Sequence, residues 1–153
     1  MKHTLLAVIF VGATIIHLPG AVAADRSVEF LNVRKTNLPF SDAVRVGDLL
    51  FLSGNIGTVP GKMALAPGGI QGEAKQTLEN IKTTLEAHGY AMSDIVKCTV
   101  MLADIAEWAD FNQVYVTFFS PPYPARSAFA TNGLALGAKV ELECMAAIGN
   151  KND

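Results

Sequence analysis

The chain has 153 residues, of which half are hydrophobic, and its 12 basic and 14 acidic side chains give a formal net charge of −2. This slightly acidic balance, without a basic cluster, argues against a nucleic-acid-binding protein, because such binding depends on many contacts from Lys and Arg to phosphates. The length is that of a single domain with a core large enough to be stable by itself.

The first 23 residues have the pattern of a secretory signal peptide. Lys2 provides a positive start, residues 4–18 are almost wholly apolar, and Ala-Val-Ala at 21–23 offers the small residues that signal peptidase accepts. The apolar run is shorter than the about 20 residues that a membrane-spanning helix needs. We therefore expect cleavage near Ala23 and a periplasmic or secreted domain over residues 24–153, without a membrane anchor; a retained anchor is the alternative.

The first half of this domain predicts a hairpin followed by a helix. Residues 43–46 and 49–53 are typical of strands, joined by a tight two-residue turn. A loop rich in Gly and Pro follows over residues 54–69. Residues 73–88 predict the clearest helix, which ends before Gly89 as a left-handed cap. Its apolar residues recur on one face: Ala74, Leu78, Ile81 and Leu85.

The second half predicts a strand, a helix and two further strands. The strand covers residues 94–102, with Val96, Cys98, Val100 and Leu102 on one face. The helix opens with Asp104 and Glu107, which are spaced as a capping box. Its buried stripe consists of Trp108, Phe111, Tyr115 and Phe118. Residues 125–131 and 139–148 predict the last strands, and the final one alternates between apolar side chains and the pair Glu141 and Glu143.

This order of elements predicts an α+β domain. Each helix has a single apolar stripe, so both helices have to cover the same face of one sheet. The opposite face is then left partly apolar and partly charged. We expect another subunit to cover it.

The two cysteines, Cys98 and Cys144, lie in predicted strands and outside any CxxC or Cys/His cluster, so a zinc site is not expected. In an oxidising compartment they could form a disulfide. We favour two buried free thiols, because pairing requires Cα atoms within about 7 Å and free Cys commonly packs as a small hydrophobe.

The mature part offers few groups for catalysis. Its one histidine, His88, falls at a helix C-terminus, where a cation is favourable, so neither a Ser-His-Asp arrangement nor a histidine pair for RNA cleavage is present. Arg126 remains, at the start of a strand after a proline-rich stretch. A planar guanidinium binds a carboxylate through two hydrogen bonds, which indicates a small carboxylate ligand. An internal ion pair of Arg126 with an acidic residue (Asp42, Glu141 or Glu143) is the alternative, and the residues leave both open.

Glu141 and Glu143 lie two residues apart on one face of the final strand. One of them could orient a water and accept its proton. The alternative, which the residues by themselves favour, is a charge pair at a strand edge or an interface.

Several segments resemble the RidA/YjgF reactive intermediate deaminase family, which is also labelled endoribonuclease L-PSP. Its two signature stretches match residues 123–127 (YPARS) and 140–146 (VELECMA). Other family segments follow the same order: 52–54 (LSG), 76–81 (QTLENI), 94–97 (DIVK) and 111–119 (FNQVYVTFF). The resemblance covers residues 36–148.

The resemblance implies a chorismate-mutase-like fold, with one mixed β-sheet, two helices on one face, and a homotrimer whose sites lie in clefts between subunits. It implies hydrolysis of reactive enamines and imines, such as 2-aminoacrylate and 2-iminobutyrate, to 2-oxo acids and ammonia. Neither a metal nor an organic cofactor is implied.

The resemblance also assigns roles by position. Arg126 would hold the substrate carboxylate, and Glu141 would hold the attacking water, which leads us to expect an ionised Glu141 close to Arg126. The remaining pocket residues implied are Ser53, Gly54, Asn112 and the backbone carbonyl near Ala128. The chain departs from the family pattern at Phe40, where active members often carry Tyr, and at Ala128, where they carry Cys.

Two other functions compete with hydrolysis. A trimeric, non-catalytic binder of 2-oxo acids would need Arg126 but not Glu141. The family's older labels, endoribonuclease and translation inhibitor, are disfavoured by the acidic charge, the missing histidine pair and the expected export.

Overall fold

The computed structural model describes residues 27–33 and 38–149. The predicted signal peptide lies outside these residues. The described strands are β1 (Val28–Leu31), β2 (Ala43–Val46), β3 (Leu49–Leu52), β4 (Asn55–Ile56), β5 (Ile95–Leu102), β6 (Ala125–Ala130) and β7 (Val140–Ala147). The α-helices are α1 (Gly69–Ala87) and α2 (Trp108–Tyr115).

The strands form one mixed sheet in the order β1-β2-β3-β7-β5-β6, with β4 also paired to β7. β5 and β6 are parallel, because α2 carries the chain back across the sheet between them, and the other pairs are antiparallel. Both helices pack on the same face, where α1 and α2 share one hydrophobic core with alternate residues of β3, β5 and β7. The predicted α+β architecture is confirmed.

The helix α1 begins four residues earlier than predicted. Ile70 in the added turn is buried, so the apolar stripe extends towards the N-terminus. Gly72 fits this turn because a side chain there would collide with the Pro67 carbonyl. The predicted end is confirmed: Gly89 has φ +78°, and the next amide, that of Tyr90, donates to the Leu85 carbonyl at 2.9 Å.

Two details of the second half were predicted wrongly. Val96 is exposed rather than buried, because the pairing of β5 with β7 shifts register between Ile95 and Lys97. The capping box is also incomplete. Asp104 caps a short 3₁₀ turn by accepting from the Ala106 amide, whereas Glu107 turns away to pair with the ammonium of Lys139 at 2.7 Å.

The prediction of free thiols is wrong. Cys98 and Cys144 face each other on β5 and β7, their Cα atoms lie 4.1 Å apart, and they form a disulfide. Sequence spacing could not show this, because the contact depends on the register between two strands whose cysteines are 46 residues apart. Both side chains are buried in the core beneath the helices.

The face of the sheet opposite the helices is partly apolar, as predicted. Leu49, Phe51 and Phe129 point away from the core and are each at least 40% exposed. Glu141 and Glu143 share this open face. Within residues 27–33 and 38–149, no helix is long and apolar enough to cross a membrane.

Candidate functional site

Arg126 lies on β6, at the edge of the sheet. It is paired in register with Cys98 of β5, so its side chain points to the helix face rather than to the open face. The strand β6 pairs with β5 on one side, and its other side has no partner strand in the described sheet. Backbone groups along this edge, including those at Ala128, are therefore available to a ligand or to another chain.

The guanidinium of Arg126 packs against the aromatic side chains of α2. Its central carbon lies 4.5 Å from the ring centroid of Tyr115, 5.5 Å from that of Trp108 and 6.0 Å from that of Phe111. These rings were predicted as a buried stripe, but Trp108 is 39% exposed. Their helical spacing was visible in the sequence, whereas their contact with Arg126 was not.

Arg126 has no ion pair or hydrogen bond within the described part of the chain. Of the acidic residues suggested as its partner, Asp42 accepts from the Val33 amide at 2.9 Å, and both glutamates lie on the other face. The predicted alternative of an internal ion pair is therefore wrong for these residues. The N–H groups of the guanidinium therefore have no acceptor within the described residues.

Glu141 lies against Gly54 on the open face of the sheet. Glu141 is paired in register with Met101 of β5 and with Ile56 of β4. The strand β4 begins directly after Gly54. A β-carbon at Gly54 would overlap the Glu141 carboxylate. Glycine at position 54 thus leaves room for the Glu141 carboxylate, and the contact brings two predicted site residues together.

Within a single chain, Glu141 and Arg126 lie on opposite faces of the sheet, so the expected closeness of an ionised Glu141 to Arg126 stays a prediction. Burial raises the pKa of Glu141, and the negative charge of Glu143 on the same face of β7 raises it further. The positive charge of Arg126 does not contribute, because the sheet separates the two side chains. Within one chain, the predicted catalytic pair does not meet.

The other predicted residues divide between these two places. Ser53 precedes Gly54, and its hydroxyl donates to the Ser41 carbonyl at 2.6 Å, so the segment that carries Phe40 runs beside it. The ring of Phe40 is exposed. Asn112 shares a helical face with the rings of α2, and Ala128 shares the face of Arg126.

We call these places the glutamate half-site and the arginine half-site. The glutamate half-site consists of Phe40, Ser53, Gly54 and Glu141. The arginine half-site consists of Asn112, Arg126 and Ala128 with the rings of Trp108 and Tyr115. The two half-sites lie on opposite faces of one sheet. Along β5, Arg126 is in register with Cys98 and Glu141 is in register with Met101.

One cavity of the described residues lies apart from both half-sites. It is an open groove of about 950 Å³ between α1 and α2, with Lys75, Lys82, Met92 and Phe118 among its walls. No three metal-ligating side chains of the described residues come close enough to hold a metal ion. The groups that the half-sites offer are the guanidinium of Arg126 and the carboxyl group of Glu141, whose pKa is raised.

Comparisons with known proteins identify the family of the chain. The family model described as Endoribonuclease L-PSP matches residues 32–148. The chain is 42% identical over 107 residues to the RutC family protein y4sK of Sinorhizobium fredii, a match that covers 70% of this chain and 85% of that protein. It is 40% identical over 111 residues to the 2-iminobutanoate/2-iminopropanoate deaminase of Mus musculus, a match that covers 72% of this chain and 82% of that enzyme.

A solved structure gives the same result. RidA from the Antarctic bacterium Psychrobacter sp. matches with a TM-score of 0.70 and 39% identity, over 74% of this chain and 91% of that chain. The family match spans both signature stretches, including Arg126 and Glu141. The chain therefore belongs to the RidA/YjgF family, whose family model is described as endoribonuclease L-PSP and whose members include deaminases.

Proposed function

We propose that this protein hydrolyses small imines that carry a carboxylate, with 2-iminobutyrate and the imine form of 2-aminoacrylate as the substrate class. Water adds to the imine carbon, the carbon–nitrogen bond breaks, and the products are a 2-oxo acid and ammonia. The observation that carries the proposal is the unpaired guanidinium edge of Arg126 in a chain that also retains Glu141. A relative with 40% identity is named for this activity.

Arg126 would anchor the substrate through its carboxylate. Two parallel hydrogen bonds fix the position of the imine carbon, and positioning supplies much of the rate enhancement because this carbon is already electrophilic. Glu141 would hold the attacking water. With its raised pKa, its carboxylate is a better proton acceptor than an ordinary glutamate.

The opposite orientation of the two half-sites leads us to propose a complete site between two subunits. One small molecule cannot touch both Arg126 and Glu141 of the same chain, since the sheet lies between them. We propose that the arginine half-site of one subunit meets the glutamate half-site of the next in a homotrimer. The exposed apolar residues of the open face would supply the interface.

We also propose that the protein works outside the cytoplasm. The disulfide between Cys98 and Cys144 supports this location, because structural disulfides persist in oxidising compartments. The sequence pattern of residues 1–23 supports it independently.

The test is release of 2-oxo acid from freshly generated 2-iminobutyrate by the wild type and by two variants. Arg126→Ala should lose ligand binding and turnover together. Glu141→Gln should keep the binding of 2-oxobutyrate while turnover falls by about 10²-fold or more, the usual contribution of a general acid or base. Arg45→Ala is the matched control, because Arg45 pairs with Glu29 on β1, away from both half-sites.

One result would replace this proposal with the non-catalytic binder. If Glu141→Gln leaves turnover unchanged while Arg126→Ala abolishes binding, the carboxylate anchor is real and the hydrolytic mechanism is wrong. Absence of turnover in the wild type, with 2-oxobutyrate still bound, would lead to the same conclusion.

A further inference from the structure

Three aromatic side chains of α2 lie close to the guanidinium of Arg126. Trp108, Phe111 and Tyr115 occupy one helical face, and all three rings lie within 6.0 Å of the guanidinium carbon. Arg126 is partly buried, and an arginine in such a place commonly pairs with a carboxylate, because removing a charge from water is costly. Here, within the described residues, rings take the place of the counter-ion.

We infer that Trp108 and Tyr115 are positioning residues that hold the Arg126 guanidinium by its faces and leave its N–H edge for the ligand carboxylate. The electron-rich faces of aromatic rings attract a cation without offering an acceptor for its hydrogen bonds. An acidic partner would also fix the guanidinium, but it would occupy the same N–H groups and compete with the substrate. The inference rests on the proposed function only in that the ligand carries a carboxylate.

The three rings contribute unequally. Tyr115 is closest, at 4.5 Å, and is 3% exposed, so it forms the floor beneath the guanidinium. Trp108, at 5.5 Å, is 39% exposed, so it is the ring of the three that also contacts solvent. Phe111 lies at 6.0 Å, the outer limit for a cation–π contact, and is completely buried, so its main role is in the core.

The hydroxyl group of Tyr115 fits the same interpretation. It is buried and has no hydrogen-bond partner within the described part of the chain. Burial raises the pKa of Tyr115 more strongly than the charge of Arg126 lowers it, so the phenol stays neutral. Tyr115 therefore stabilises the cation through its ring and does not neutralise it as a phenolate would.

The first measurement is the dissociation constant for 2-oxobutyrate, a stable molecule with the carboxylate of the product, in the full-length protein. Trp108→Leu and Tyr115→Leu should each raise it by roughly 2- to 30-fold, which corresponds to the usual range of cation–π energies. Trp108→Phe and Tyr115→Phe keep a ring and should restore most of the affinity. Ile105→Ala is the control, because Ile105 is an exposed apolar residue one turn before Trp108 that carries no aromatic ring.

The second measurement follows Arg126 itself and needs no ligand. In side-chain NMR, the Nε–H signal of Arg126 should show a ring-current shift in the wild type that changes in the two leucine variants but not in Ile105→Ala. A purely structural effect of the substitutions would lower thermal stability without this pattern. Because Trp108 is partly exposed, its variant keeps the test valid if Tyr115→Leu does not fold.

The outcomes separate this inference from the proposed hydrolysis. If leucine at both positions leaves the dissociation constant and the Arg126 signal unchanged, the inference is wrong and hydrolysis is untouched. If the wild type binds 2-oxobutyrate with the expected variant effects but releases no product from 2-iminobutyrate, the hydrolysis is wrong and the inference stands. A wild type that binds no carboxylate overturns the inference as well.

Discussion

Gly54 and Glu141 are in direct contact, and the Glu141 carboxylate occupies the space where a side chain at position 54 would begin. Only glycine leaves the carboxylate in this position. The contact ties a residue of the loop after β3 to a residue of β7 that lies 87 positions later, and it makes the placement of Glu141 testable without changing Glu141.

We predict that Gly54→Ala lowers turnover to nearly the level of Glu141→Gln while 2-oxobutyrate still binds. The methyl group meets the flexible end of Glu141, so the carboxylate moves and the fold is retained. Gly149→Ala is the control, because a β-carbon there meets no neighbour within 4 Å. Steady-state kinetics with circular dichroism would check this, and full activity in Gly54→Ala would show that the Glu141 carboxylate is not used.

The proposed division of the site between subunits predicts complementation. Co-expressed Arg126→Ala and Glu141→Gln chains should regain activity, because some clefts combine an intact arginine half-site with an intact glutamate half-site. Random assembly gives about a quarter of the wild-type activity for a closed ring with one site at each contact. A mixture that stays inactive, although mass spectrometry shows mixed trimers, would contradict a site formed by two chains.

The pH dependence of turnover should respond to Glu143. Burial and the negative charge of Glu143 both raise the pKa of Glu141, and the carboxylate form accepts the proton from water, so activity falls as pH drops through this pKa. Glu143→Gln removes the like charge and lowers the pKa of Glu141. The acidic limb of kcat/KM should therefore move to lower pH, whereas Glu86→Gln at an exposed position of α1 should leave it in place. A shift to higher pH would refute the assignment.

The disulfide predicts both a thiol count and a stability change. Under denaturing conditions without reductant, the protein should show no free thiol, and after reduction it should show two. Replacement of Cys98 and Cys144 by alanine should lower the free energy of unfolding by about 2–4 kcal/mol, since the cross-link restricts the unfolded chain. Denaturant titration of oxidised and reduced wild type provides the comparison, and equal midpoints would contradict a stabilising bond.

The sequence by itself determined the architecture of this protein. The stripe of Ala74, Leu78, Ile81 and Leu85 and the alternation along β7 each follow from the repeat of one regular element, and both were read from spacing alone. Such local patterns specify which side chains face the core. They also identified Arg126 and Glu141, because those residues stand in recognisable segments.

Only the tertiary structure decided how these residues are combined. The disulfide, the exposure of Val96 and the contact between Gly54 and Glu141 depend on register between strands that are distant in sequence. The separation between Arg126 and Glu141 also depends on strand register, because register turns Arg126 of β6 to the helix face and Glu141 of β7 to the open face. Strand register is fixed by the packing of the whole sheet, since a shift of one residue turns every side chain to the opposite face.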